Sequence, residues 1–123
     1  MEPQTSSRFS YPSKSSQFPR TLEEIDNPLD IEYYNIKKAT IVLRSLNHRL
    51  RQEAIKTIHE NKRITVTEFY LKMRLEQSVA SQHLAILRKA GIVFTIRHGK
   101  FIYYSINYSR LKEIVQYSKN LVS

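Results

Sequence analysis

Ser78, Ser81, Gln82 and Ala85 recur at intervals of three and four residues, with Gln77 just before them and Arg88 and Lys89 just after. At helical spacing this sets hydroxyls, an amide and a methyl on one face. Such a set suits base edges in a major groove. An amide can pair with adenine N6 and N7, hydroxyls serve several edges, and a small methyl can meet that of thymine. Arg88 and Lys89 suit phosphates, which orient a helix without specifying sequence. Alone, the pattern also describes an ordinary solvated helix face. Its surroundings tip the balance: Arg97, His98 and Lys100 cluster around Gly99, and no acidic residue occurs between Gln77 and Lys112.

The elements that must position these groups are legible on either side. Ala80, Leu84, Leu87 and Gly91 share the opposite side of a 100° wheel, predicting a helix over 77–90 that packs by that side and stops at Gly91. His83 falls on the flank of the apolar side, where a histidine is expected to be packed and hydrogen-bonded. Thr65-Val66-Thr67-Glu68 fits a capping box and predicts a short helix over 66–73, joined to the next by a turn at 74–76. Glu76 stands where Ser or Thr would cap better. Downstream, a hairpin turned at His98-Gly99 would pair Arg97 with Lys100, Ile96 with Phe101 and Phe94 with Tyr103. Val93, Ile102, Tyr104 and Ile106 would then face inward. Phe94, Ile96, Phe101 and Tyr103 would form an apolar outer face, suited to cross-strand pairing or to docking.

Further upstream, Asp30 is placed to cap a helix over 31–46, Asn47 and His48 interrupt it, and a second helix runs to about residue 59. Asn107 caps a last helix in which Leu111, Ile114, Val115, Ser118, Leu121 and Val122 form one stripe. The sum is a mostly α fold with a small β-hairpin: a winged helix-turn-helix, with three core helices and a wing. Residues 1–27, with six Ser and three Pro in the first twenty, read as a flexible tail. Residues 28–123 read as one domain. So small a domain buries only about 60–65% of its unfolded surface, and dimerisation would supplement it. Ile41 and Leu43 on the first helix, with Leu111, Ile114, Val115 and Leu121 on the last, are the expected seam.

Composition narrows the function classes. The 123 residues carry 20 Lys and Arg against 11 Asp and Glu, a net charge of +9, and no cysteine. That excess attracts polyanions, and the missing thiols exclude disulfides and thiolate metal sites. No stretch approaches the ~20 apolar residues of a membrane span, and the start lacks the apolar core of a signal peptide, so no membrane partner and a cytoplasmic location are expected. No glycine-rich phosphate loop or nucleophile–base constellation suggests catalysis. Double-stranded DNA bound by a homodimer is the leading expectation. A winged-helix protein-interaction module and a nonspecific nucleic-acid binder are the alternatives.

These motifs together resemble the ArsR/SmtB family of bacterial winged-helix repressors, over about residues 45–115. The likeness is carried by Leu46 and Arg51, by the Leu-x-Gln-Ser-x-x-Ser-x-His-Leu block from Leu75 to Leu84, and by Leu-Arg-x-Ala-Gly-Ile-Val from Leu87 to Val93. The wing Gly99 and Tyr-Tyr-Ser-Ile-Asn from Tyr103 to Asn107 complete it. The resemblance implies a homodimer built on the first and last helices, binding a two-fold symmetric operator and usually repressing. It also exposes departures. The family's Cys-x-Cys metal site would fall at Thr65 and Thr67, whose neutral hydroxyls are poor ligands for soft metals. The alternative Asp/His/His/Glu site on the last helix is missing, since residues 107–123 hold neither His nor Asp. No metal, cofactor or catalytic residue is assigned, and an effector, if one acts, is unknown.

Equimolar zinc at fixed ionic strength should therefore change DNA affinity by less than tenfold. A larger change, about 1.4 kcal/mol of coupling, would reveal a ligand set that the sequence conceals.

Overall fold

The computed structural model describes residues 31–123; the segment 1–27 and the proposed cap Asp30 lie outside them. Five helices and three short strands follow in the order α1 (Tyr33–Leu46), α2 (Arg49–Asn61), β1 (Ile64–Thr65), α3 (Val66–Met73), α4 (Gln77–Lys89), β2 (Val93–His98), β3 (Phe101–Ile106) and α5 (Tyr108–Val122). Residues Thr40–Ser123 close on one another as a compact unit. The helices α2, α3 and α4 meet around Ala54, Ile58, Phe69, Ala80, Leu84 and Leu87, all buried. Ile92, Val93 and Ile106 at the base of the hairpin, and Ile114 of α5, complete that core.

Local chemistry sets the boundaries. The capping box is present: Thr65 Oγ1 accepts from the Glu68 N–H, and the Thr65 N–H donates to Glu68 Oε1 at 3.0 Å. Asn107 caps α5 by accepting from the Arg110 N–H at 3.1 Å. Gly91 has φ +79, which stops α4 without the usual steric penalty, and a Cβ there would touch the Arg110 side chain at 3.4 Å. Three boundaries move. The first helix begins at Tyr33 instead of 31, the second runs to Asn61 instead of ending near 59, and α4 ends at Lys89 instead of 90.

The sheet departs from expectation in two ways. Its order is β1-β3-β2, fully antiparallel, with Ile64 opposite Tyr104 and Thr65 opposite Tyr103. The two-residue β1 carries too short a pattern to be read in advance; it exists because β3 presents an edge to it. The hairpin register also differs. Gly99 and Lys100 form the turn, His98 pairs with Phe101, and Arg97 pairs with Ile102 in place of Lys100. A His98-Gly99 turn of type I′ would force positive φ on both residues, whereas Gly99 in the first central position bears that conformation alone. The turn moves one residue along both strands, so partners change by two and each face keeps its residues. Val93, Thr95, Arg97, Ile102, Tyr104 and Ile106 share the inner face, as pairs in the ladder.

Thr65→Ala should lower stability by about 1 kcal/mol through loss of the cap, read as a lower urea midpoint with an unchanged slope. No change in midpoint would show that strand pairing alone fixes this corner.

Candidate nucleic-acid interface

Burial divides α4 cleanly. Ala80, Leu84 and Leu87 are fully buried, while Gln77, Ser78, Ser81, Gln82, Ala85, Arg88 and Lys89 are all exposed. The wheel thus placed every predicted groove-facing residue on the solvent side. Glu76 forms the N-cap and makes no side-chain capping bond, so it leaves the first N–H groups of α4 uncapped from that position. At the wing, Arg97, His98, Gly99 and Lys100 are exposed together. The Lys100 ammonium lies 5.7 Å from the Phe101 ring centroid, and Arg97 reaches back to the Gly99 carbonyl at 3.4 Å. The Arg63 guanidinium sits 4.4 Å above the Tyr103 ring on the outer face of the hairpin. Phe94 and Phe101 on that face are 43% and 50% exposed, and their cross-strand partners are Ser105 and His98.

Arg74 is a residue the sequence did not single out. It closes α3 with φ 58 and ψ 46, a left-handed conformation, in the turn that leads to α4. A side chain in that conformation costs roughly 1–2 kcal/mol relative to the right-handed region, and glycine is the usual occupant. Its guanidinium is exposed beside the start of α4. The only advance signal was a cation in a three-residue turn.

Behind α4 lies a second cluster. Arg51, buried to 7% exposure, donates from Nε to the Ser45 carbonyl at 2.7 Å and from Nη2 to the Arg44 carbonyl at 3.1 Å. Its Nη1 stands 3.4 Å from His83 Nδ1 on α4. Arginine can only donate, so this contact is a hydrogen bond only while Nδ1 keeps its lone pair, with the ring proton on Nε2. His48, at the N-cap of α2, lies with its ring 5.1 Å from that of His83. Burial, then the nearby His48, then Arg51 hold the His83 pKa below the usual 6.5. The Leu46 and Arg51 pair of the family likeness straddles the corner: Leu46 ends α1 and Arg51 lies in α2.

The seam residues divide. Ile41, Leu43, Val115 and Leu121 are exposed, Leu121 to 75%. Leu111 packs partly on the core, and Ile114 is 3% exposed within the chain itself. Ile114 is therefore a residue of the chain's own core, while Val115 and Leu121 of the same stripe stay outside it. Between α1 and α5 an open cleft of about 540 Å³ is lined by Thr40, Leu43, Arg44, Leu46, Asn47 and Ser118. Among the described residues no three His, Asp or Glu stand close enough together to hold a metal ion. No helix there is long and apolar enough to cross a membrane.

No family model matches the chain. Individual relatives do. The transcriptional repressor PagR of Bacillus anthracis is 30% identical over 86 residues, covering 70% of this chain and 86% of PagR. The chain belongs to the ArsR/SmtB family of winged helix-turn-helix transcriptional regulators. The crystal structure of PagR matches with a TM-score of 0.57 at 29% identity, covering 69% of this chain and 97% of that one. The transcriptional activator HlyU of Vibrio cholerae is 26% identical over 98 residues, 80% of this chain and 83% of HlyU. A homodimeric winged helix-turn-helix DNA-binding domain from Mycobacterium bovis shares the fold with a TM-score of 0.63 at 16% identity, covering 79% of this chain and 90% of that one. Within the family, then, this chain has α4 in the place of a recognition helix and β2-β3 as the wing. Its relatives regulate transcription, and both signs of regulation occur among them.

Proposed function

We propose that the chain acts as a cytoplasmic homodimer, without metal or catalysis, that binds an inverted-repeat operator and represses the adjacent promoter. Its DNA-binding and dimerisation unit is contained in residues 28–123. The carrying observation is that the exposed face of α4 and the exposed wing tip follow one another in an acid-free stretch. Gln82 reads adenine, Ser78 and Ser81 read neighbouring edges, and Ala85 meets a thymine methyl. Gln77, Arg88, Lys89, Arg97, His98, Lys100 and the strained Arg74 hold phosphates or enter the minor groove. A dimer would set two such helices about one turn of DNA apart. The open apolar side chains of the wing favour one competing reading, a protein-interaction module.

Footprinting on the DNA upstream of the chain's own coding sequence separates these readings. A short protected inverted repeat supports operator binding, uniform coating supports nonspecific binding, and no retention supports the interaction module. On the protected site, Gln82→Ala should cost ~1–3 kcal/mol and relax preference at one base step. Arg97→Ala, Lys100→Ala and Arg74→Gly should weaken all sequences alike. Each should flatten the dependence of log affinity on log salt by about one unit per lost phosphate contact. Arg74→Gly should do so without loss of folding stability, since it removes a left-handed side chain.

Val115→Glu and Leu121→Glu should dissociate the dimer in sedimentation and weaken operator binding while leaving the fold intact. Ile114→Glu is no substitute, as it would place a charge in the chain's own core. A monomeric parent protein at micromolar concentration would end the dimer reading.

A further inference from the structure

We infer that Arg51 and His83 form a positioning link that ties the recognition helix α4 to the end of α1, and that a proton taken up at His83 opens it, so that acid weakens operator binding. The inference rests on the operator-binding reading above and adds to it a control by pH.

The geometry carries the argument. Helix ends leave their last carbonyls short of partners; at the end of α1 Arg51 donates to Ser45 O and to Arg44 O, which it shares with the Asn47 N–H. A cation at that end also meets the negative pole of the helix dipole. The third arm crosses to His83, one residue from Gln82 and two from Ser81, the side chains that face the groove. Arg51 thus spans three helices through one side chain that is almost wholly buried. The arm toward α4 is conditional. It exists only while Nδ1 carries a lone pair, because Arg51 has nothing but N–H groups to offer. Protonation replaces the bond by two facing cations, with His48 a further positive neighbour when it too is charged.

The charged side chains of the surrounding elements include Arg44 on α1, Arg49, Arg51, Glu53, Lys56 and Glu60 on α2, Glu68 and Lys72 on α3 and Arg97 on β2. Of these Arg51, together with His48, acts on His83, and both oppose its charging. The folded state therefore favours neutral His83 more than the unfolded chain does. Its contribution is complete above the unfolded value near 6.5 and is lost as the pH falls through the lower folded value. The effect on DNA should have the same sign, and replacing His98 at the wing tip leaves His83 as the histidine nearest the groove.

The test measures affinity for the footprinted operator from pH 7.5 to 5.5 at fixed ionic strength, in a His98→Gln background, with circular dichroism at each pH. Because the folded value lies below 6.5, the parent should hold its affinity from pH 7.5 to about 6.5 and lose it toward pH 5.5, by less than about tenfold. His83→Gln, which keeps an acceptor for Arg51 but does not titrate, should bind like the parent at pH 7.5 and show a flat profile. His83→Lys should bind weakly at both ends. A parent profile that is flat or rises toward acid, or a His83→Gln profile that falls as the parent's does, would overturn the inference. Absence of operator selection at pH 7.5 in the parent would instead overturn the operator-binding reading.

Discussion

A helix can offer a clean polar face to a partner only if its other face is fully committed elsewhere, and in this small fold that commitment is the burial of Ala80, Leu84 and Leu87. These side chains lose all contact with water against Ile58, Phe69 and Ile92. Each buried Leu or Ile contributes about 1.5–3 kcal/mol relative to exposure, so rotating α4 by a quarter turn would cost several such contributions at once. The orientation of Ser78, Ser81, Gln82 and Ala85 follows from that cost. Other elements serve the same core. The turn at Arg74 accepts a left-handed residue so that α3 and α4 can both reach it, and Gly91 turns the chain out of α4 so that Ile92 and Val93 return to it.

Arg51 is the polar counterpart of this apolar constraint. A buried cation without an acid beside it would be costly, yet here the partners are carbonyls at a helix terminus. They need donors as much as the guanidinium needs acceptors. Arg51 shares the last carbonyls of α1 with the Asn47 N–H and with Gln52, which takes Leu46 O, and its third arm favours neutral His83. The cleft between α1 and α5 shares Arg44 with the link.

Thr65 shows how one position can be spent on structure where metal sensors of this family are expected to hold a thiolate. Its backbone pairs with β3, and its hydroxyl caps α3. That hydroxyl is committed to a backbone N–H at the start of α3. Where the sequence resembles a sensor, the local chemistry is that of a helix start.

The order of elements, the capping box, the outward face of α4 and the basic wing were all legible in the chain, because each depends on spacing within one or two helical turns. Periodicity alone separated Gln82 from Leu84. The strand β1, the turn at Gly99-Lys100, the burial of Ile114 and the link from Arg51 to His83 were not legible. A two-residue strand has no period, a turn type depends on which residue must bear positive φ, and a stripe of six apolar residues does not say which will meet the chain's own core. Arg51 and His83 are 32 positions apart, and no local pattern pairs an arginine with a histidine at that distance. Only when α1, α2 and α4 pack on one core do the carbonyls, the guanidinium and the imidazole arrive together.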